Sequence, residues 1–282
     1  ATMSDDAKRR VSVLRRGDAA VVDEFVAVEE PLEIRLAFER AGLRGQKSIA
    51  ITMRTPGNDD ELAVGFLVGE KILNSPSDVV GVRYCGDPDQ HRENRNVIRV
   101  ELADGVAVDL GRLQRNFYTT SSCGVCGKSS LEALAIEGVD AVTDEVRVAA
   151  ATLAGLPDLL REQQEVFDST GGLHAAGLFG ADGDLLALRE DVGRHNAVDK
   201  LVGEAFLRGA LPLNANVLVL SGRASFELLQ KALVAGIEVV AAVGAPSSLA
   251  VELAQRFGIT LCGFVRGGRF NCYSRPERVL RL

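Results

Sequence analysis

Hydrophobic and polar positions alternate through Leu32, Ile34, Leu36 and Phe38, which predicts a strand with one buried face. Residues 42–45 predict a turn and residues 48–53 a second strand. Residues 96–102 and 106–110 flank Asp104-Gly105, a favoured two-residue turn, and predict another hairpin. Between these pairs the period changes. Leu62, Phe66 and Leu67 recur on one face of residues 59–72, which predicts a helix, while residues 76–96 are polar and read as loop.

The pattern shifts again after about Phe117. Short apolar runs at residues 217–220, 238–243 and 259–264 alternate with helical stretches at 225–235 and 247–257. Strand, helix, strand, helix, strand at these lengths predicts a parallel sheet with crossover helices. The expected fold class is α/β, a parallel or mixed sheet plus a smaller N-terminal β-rich α+β subdomain. The expected boundaries are a disordered tail over 1–25, the β-rich part over 26–117 and the α/β domain over 118–282.

A parallel sheet ends all its strands on one edge, and ligands sit in the crevice beyond it. That edge is expected to collect Ser221, Gly222 and Arg223, then residues 245–248 with Ser247, then Arg266, Gly267, Gly268 and Arg269. Helix N-termini with serine caps offer free backbone N–H groups, and arginines grip phosphate with paired hydrogen bonds. This predicts an anion site, against the plainer reading of capped helices beside a solvated basic segment. The net charge of −7 does not oppose it, because the basic residues are local, but it argues against a general nucleic-acid binder. No apolar run is long enough for a membrane span, and residues 1–17 lack the apolar stretch of a secretory signal. Five irregularly spaced cysteines then suggest reduced, cytoplasmic thiols.

The most unusual stretch is residues 119–130, TTSSCGVCGKSS. Two thiols, Cys123 and Cys126, stand among small residues and glycines, next to Lys128 and before a helix suggested by Leu131, Leu134 and Ile136. A helix N-terminus and an adjacent cation lower a thiol pKa, and the thiolate is the nucleophile of sulfur exchange. Cys123 is the leading candidate and Cys126 its neighbour. A structural zinc site needs about four ligands, of which one C-x-x-C supplies half. The others would have to come from Cys85, Cys262, Cys272, His91, His174 or His195, so no structural metal is expected. A thioredoxin-type pair would follow a strand of a βαβ unit, whereas this loop follows the predicted hairpin. Cys85, Cys262 and Cys272 are expected to be small buried hydrophobes.

Residues 189–200, REDVGRHNAVDK, concentrate hydrogen-bonding groups before an amphipathic helix. They suit ligand positioning or a buried network, and His195 is expected to face substrate or support a group that does. His174, in a Gly-rich entry to a strand, reads equally well as a structural histidine. Arg54-Thr55-Pro56-Gly57 reads as a strand exit and turn.

Several blocks, TSSCGVCGKSS, TGGLHAAGLF, REDVGRHNAVDKLVG, SGRASFEL and APSSLAV, occur in an order that resembles the FdhD family of formate dehydrogenase accessory sulfurtransferases. RTPGNDDELAVGFLVGEKI and GFVRGGRFNCYS agree, so the resemblance runs from about Pro31 to Tyr273. It implies a cytidine-deaminase-like layered domain, a homodimer and a sulfur carrier. Sulfur would come from a cysteine desulfurase as a persulfide on Cys123, with Cys126 assisting. It would pass to molybdenum bis(molybdopterin guanine dinucleotide), held as bound substrate, before insertion into the formate dehydrogenase catalytic subunit. The family's cofactor-binding stretch maps onto Phe264, Val265, Arg266, Gly267, Gly268 and Arg269, and a guanine nucleotide would mimic part of the ligand. Two other classes compete. One is a cofactor-binding chaperone without sulfur chemistry. The other is a zinc deaminase-type hydrolase, which wants H-x-E followed by P-C-x-x-C. Ala175 and Ala176 follow His174 here, and Ser122 precedes the cysteine pair in place of proline.

Overall fold

The computed structural model describes residues 5–14, 21–40, 43–85, 95–106, 108 and 139–281. Cys123, Cys126 and His91 lie outside these residues, as does the helix expected after Ser130.

The N-terminal region is built on a four-stranded sheet. Its strands are β3 (Glu30–Arg40), β4 (Leu43–Arg54), β5 (Val79–Tyr84) and β6 (Val97–Leu102), in the order β4-β3-β6-β5. Leu32, Ile34 and Leu36 alternate inward as expected and are fully buried. Four expectations change. Gly45, placed in a turn, lies inside β4 opposite Phe38. The stretch read as loop contains β5, whose Val79, Val82 and Tyr84 are strong β-formers. β5 then occupies one side of β6 and β3 the other, so no second hairpin strand pairs with β6, although the Asp104-Gly105 turn is present. The fourth change is in the expected tail. β1 (Lys8–Val13) pairs antiparallel with β2 (Val22–Ala27), and Ala7 is fully buried beside Val166 and Leu173. The helix arrives as read, α1 (Asp59–Gly69).

The second region holds a six-stranded mixed sheet in the order β13-β12-β11-β10-β8-β9. These strands are β8 (His174–Gly180), β9 (Leu185–Asp191), β10 (Asn216–Leu220), β11 (Val239–Ala242), β12 (Thr260–Arg266) and β13 (Arg269–Ser274). β10, β11 and β12 are parallel, as their apolar runs predicted, and the other three are antiparallel to their neighbours. A short β7 (Val148–Ala149) pairs with β14 (Val279–Leu280). Its helices are α2 (Ala150–Glu162), α3 (Glu165–Thr170), α4 (Arg194–Leu207), α5 (Phe226–Val234) and α6 (Ser248–Phe257).

Side-chain alternation divides the core between the two faces of this sheet. Val217, Val219, Val239 and Ala241 meet Leu153, Leu156 and Leu160 of α2. Leu218, Leu220, Val240 and Ala242 face α4, α5 and α6, in a core continuous with Leu32, Ile34, Leu62 and Leu67 of the N-terminal region. The two regions meet backbone to backbone at α1 and α4. A Cβ on Gly65 would overlap the Asp199 carbonyl, and one on Gly203 would overlap the Glu61 carbonyl. Only glycine allows this approach.

Candidate functional site

β10, β11 and β12 end on one edge of the six-stranded sheet, and the antiparallel register brings the start of β8 and the end of β9 to the same edge. His174 pairs with Asp191, and Ala176 with Leu220. The loops beyond the strands are joined to each other. Gly244 N donates to the Gly222 carbonyl at 2.9 Å, Ser247 N to Ala224 at 3.0 Å, and Phe264 N to Gly244 at 3.2 Å. This follows from parallel register, since each loop leaves the sheet beside the last.

Four cationic or titratable side chains gather here: His174, Arg194, His195 and Arg223. His174 is half-buried, and a Cβ on Gly222 would touch its ring, so ring and loop are in contact. Burial pushes its pKa below 6.5, and the charges of Arg194, His195 and Arg223 push it the same way against Asp191. A neutral imidazole among cations is a hydrogen-bonding group, whereas the arginines supply the positive field. Arg194 Nε is buried without a hydrogen-bond partner among the described residues. His195, at the start of α4, reaches α5: its Nε2 lies 3.3 Å from Ser225 Oγ and 3.0 Å from a Glu227 carboxylate oxygen. That contact holds the Glu227 pKa below the usual carboxylate range.

Each anticipated residue within the described part of the chain has a definite place. Ser221 Oγ accepts from Ala175 N at 2.8 Å, which fixes the start of β8 and leaves its hydroxyl proton to donate. Arg223 is exposed at the mouth of the edge. Ser247 caps α6, accepting from Ala250 N at 3.3 Å. Ser225 gives α5 no side-chain cap, because its hydroxyl turns to His195. Phe264 is 39% exposed with φ of 55°, a left-handed conformation uncommon for an aromatic residue, and Val265 turns back into the core. β12 runs on to Arg266, and Gly267 and Gly268, both at positive φ, reverse the chain into Arg269. Arg266 and Arg269 pair across this turn, exposed at a hairpin tip beyond the stitched loops. Cys123 and Cys126 fall outside the described residues.

Sequence reasoning missed what lies beneath. Asp191 is fully buried and receives Lys200 Nζ at 2.7 Å, Gly193 N at 2.8 Å, Asn196 Nδ2 at 2.9 Å and Thr55 N at 3.1 Å. Lys200 also donates to the Thr55 carbonyl at 2.9 Å, and Val192 N donates to Thr55 Oγ1 at 3.1 Å. The turn at residues 54–57 therefore holds the β9–α4 connection in place. Arg54 is itself buried on Asp59 at 2.9 Å, with the Tyr84 hydroxyl on the same carboxylate. Beside this pair opens a cleft of about 250 Å³, lined in part by Arg9, Glu30, Pro56 and Arg95. Within residues 189–200, then, Asp191, Asn196 and Lys200 hold the frame, while Arg194 and His195 face the edge. The charges alone carried no signal separating the two groups.

The sequence matches the FdhD/NarQ family over residues 27–280. The chain belongs to the FdhD/NarQ family. A member from Mycolicibacterium paratuberculosis, named sulfur carrier protein FdhD, is 52% identical over 279 residues, covering 98% of this chain and all of its own. The sulfur carrier protein FdhD of Sulfolobus acidocaldarius is 43% identical over 272 residues, covering 96% of this chain and 98% of its own. A crystal structure from Desulfotalea psychrophila, described as a formate dehydrogenase accessory protein, superposes with a TM-score of 0.72 at 26% identity. That likeness covers 97% of this chain and 98% of the other. Among the described residues, no helix is long and apolar enough to cross a membrane.

Proposed function

We propose that this protein is a sulfur carrier. It takes sulfur from a cysteine desulfurase onto Cys123 and passes it to molybdenum bis(molybdopterin guanine dinucleotide) before that cofactor enters formate dehydrogenase. The observation that carries this reading is identity of 52% along essentially the whole chain to a relative named for sulfur carriage, with the C-x-x-C intact here. In the loading step the Cys123 thiolate attacks the outer sulfur of the desulfurase persulfide. The S–S bond there breaks, the desulfurase leaves as thiolate, and Cys123 holds the persulfide. Cys126 is the assisting thiol.

The sheet edge is the place proposed for the cofactor. Its guanine dinucleotide arms are anionic, and Arg194, Arg223 and the α6 N-terminus are the groups that would meet their phosphates. Neutral His174 would accept a hydrogen bond there. The exposed Phe264 ring offers a flat apolar face for a base, with Arg266 and Arg269 beyond it. The reading includes a homodimer in the cytoplasm and the cytidine-deaminase-like layering that the sequence blocks imply.

A cofactor-holding chaperone would use the same edge without sulfur on the chain. Intact-mass measurement after incubation with a desulfurase and cysteine separates the two. The carrier gains one sulfur, and Cys123→Ala gains none. An unchanged wild-type mass favours the chaperone.

A further inference from the structure

Two cysteines that sequence reasoning treated as small hydrophobes face each other across the last pair of strands. Cys262 of β12 and Cys272 of β13 are directly opposed in antiparallel register. Directly opposed residues in such a pair have Cα atoms about 4.5–5.5 Å apart, inside the window a disulfide accepts. Direct opposition brings the two side chains to the same face of the strand pair. Their surroundings differ sharply. Cys262 is fully buried beside Val217, Val239 and Val265, whereas Cys272 sits on an edge strand and is exposed. While protonated, Cys272 Sγ donates to the Ser274 carbonyl at 3.3 Å.

We propose that Cys262 and Cys272 form a second thiol centre, in which Cys272 takes a sulfane sulfur from a low-molecular-weight persulfide and Cys262 resolves it to a disulfide, releasing hydrosulfide. The centre does not involve Cys123 and stands apart from the carrier reading. In the first step the Cys272 thiolate attacks the outer sulfur of the persulfide, whose inner sulfur leaves as thiolate. In the second, the Cys262 sulfur attacks Cys272 Sγ. The bond to the sulfane sulfur breaks, that sulfur takes the electron pair together with the Cys262 proton, and hydrosulfide departs. The two cysteines are oxidised by two electrons and the sulfane sulfur is reduced by two, so no other oxidant is needed.

The division of labour follows from the environment. The hydrogen bond from Cys262 lowers the Cys272 pKa to about 7, against burial and the nearby Glu277 carboxylate, so thiol and thiolate are both populated at neutral pH and the thiolate fraction is the reactive one. The same hydrogen bond, with burial, pushes Cys262 far up and keeps its proton until the resolving step. Only the exposed thiol can meet a donor, and only the buried one lies against it. The product is a staple across the β12–β13 hairpin, whose tip carries Arg266 and Arg269. Closing it restricts the turn that presents those two arginines.

The test uses the whole chain with Cys85→Ser, Cys123→Ala and Cys126→Ala, so that only the hairpin pair is read. The reduced protein is freed of reductant under nitrogen, treated with glutathione persulfide, alkylated and digested with trypsin without reduction. The expected product is the peptide 257–266 joined to the peptide 270–278, with one sulfide released for each linked pair. Adding Cys272→Ser should lower sulfide release about tenfold. Adding Cys262→Ser instead should leave an alkylated persulfide on Cys272 and no linked peptide. Recovery of both peptides as separately alkylated, unmodified thiols from the chain with the pair intact overturns the proposal without any substitution in the hairpin. Undiminished sulfide release after Cys272→Ser does the same.

Discussion

Lys200 is the residue on which the frame beneath the edge turns. Its ammonium is buried between Asp191 and the Thr55 carbonyl, so it neutralises a carboxylate that has no access to water. Removing one partner of such a pair leaves an uncompensated buried charge. Lys200→Met is therefore expected to cost about 3–5 kcal/mol of stability, read from urea unfolding midpoints. A loss below about 1 kcal/mol would show that the pair is dispensable. His174 makes a prediction with a sign. Its folded pKa lies below the ordinary 6.5, so the unfolded chain takes up the proton first as pH falls. Its contribution is complete above about 6.5 and is lost as the pH drops through the window beneath that value. Glu227, also held low, adds a loss in the same direction at more acid pH. His174→Gln should flatten the fall in urea midpoint between about pH 7.5 and 5.5. An unchanged slope would place the pH dependence elsewhere. Residues of this kind were the least legible in the sequence. Asp191, Asn196 and Lys200 look the same in the chain as Arg194 and His195, and only the packing of α4 against Thr55 tells the frame from the groups that face the edge.

At the scale of elements, legibility tracked how completely a segment is buried. β10, β11 and β12 are covered on both faces, so their apolar runs stood out and both crossover helices followed. β5 and the β1–β2 pair expose much of their length, and their mixed pattern read as loop and tail. The packing of α1 on α4 was equally hidden, since Gly65 and Gly203 carry no hydrophobic signal. Gly65→Ala should force these helices apart and cost about 1–3 kcal/mol, measured by thermal unfolding. A melting temperature unchanged from the parent would contradict the close approach. The edge loops make a binding prediction. If Arg223 meets a phosphate, Arg223→Ala should weaken GDP binding about tenfold, whereas Arg208→Ala, exposed at the far end of α4, should leave it unchanged. Calorimetric titration distinguishes these outcomes, and equal affinity for all three proteins would remove Arg223 from the site.

For the whole molecule, family membership was the most legible property, because it rests on multi-residue blocks in fixed order rather than on burial. The FdhD/NarQ match over residues 27–280 and near-complete coverage of the relatives agree with it. In the proposed function, the sheet edge, its cations and the hairpin of residues 264–269 would hold the anionic cofactor, while the C-x-x-C would supply the sulfur chemistry. Those two halves of the account meet only if sulfur moves between them. The most direct measurement follows radiolabelled sulfur from cysteine, through a desulfurase, onto this protein, and then to formate dehydrogenase whose cofactor awaits sulfur. The account predicts that label loads onto the wild-type chain and chases to the dehydrogenase, while Cys123→Ala neither loads nor delivers. Label that stays on the chain, or that passes equally well through Cys123→Ala, would contradict it.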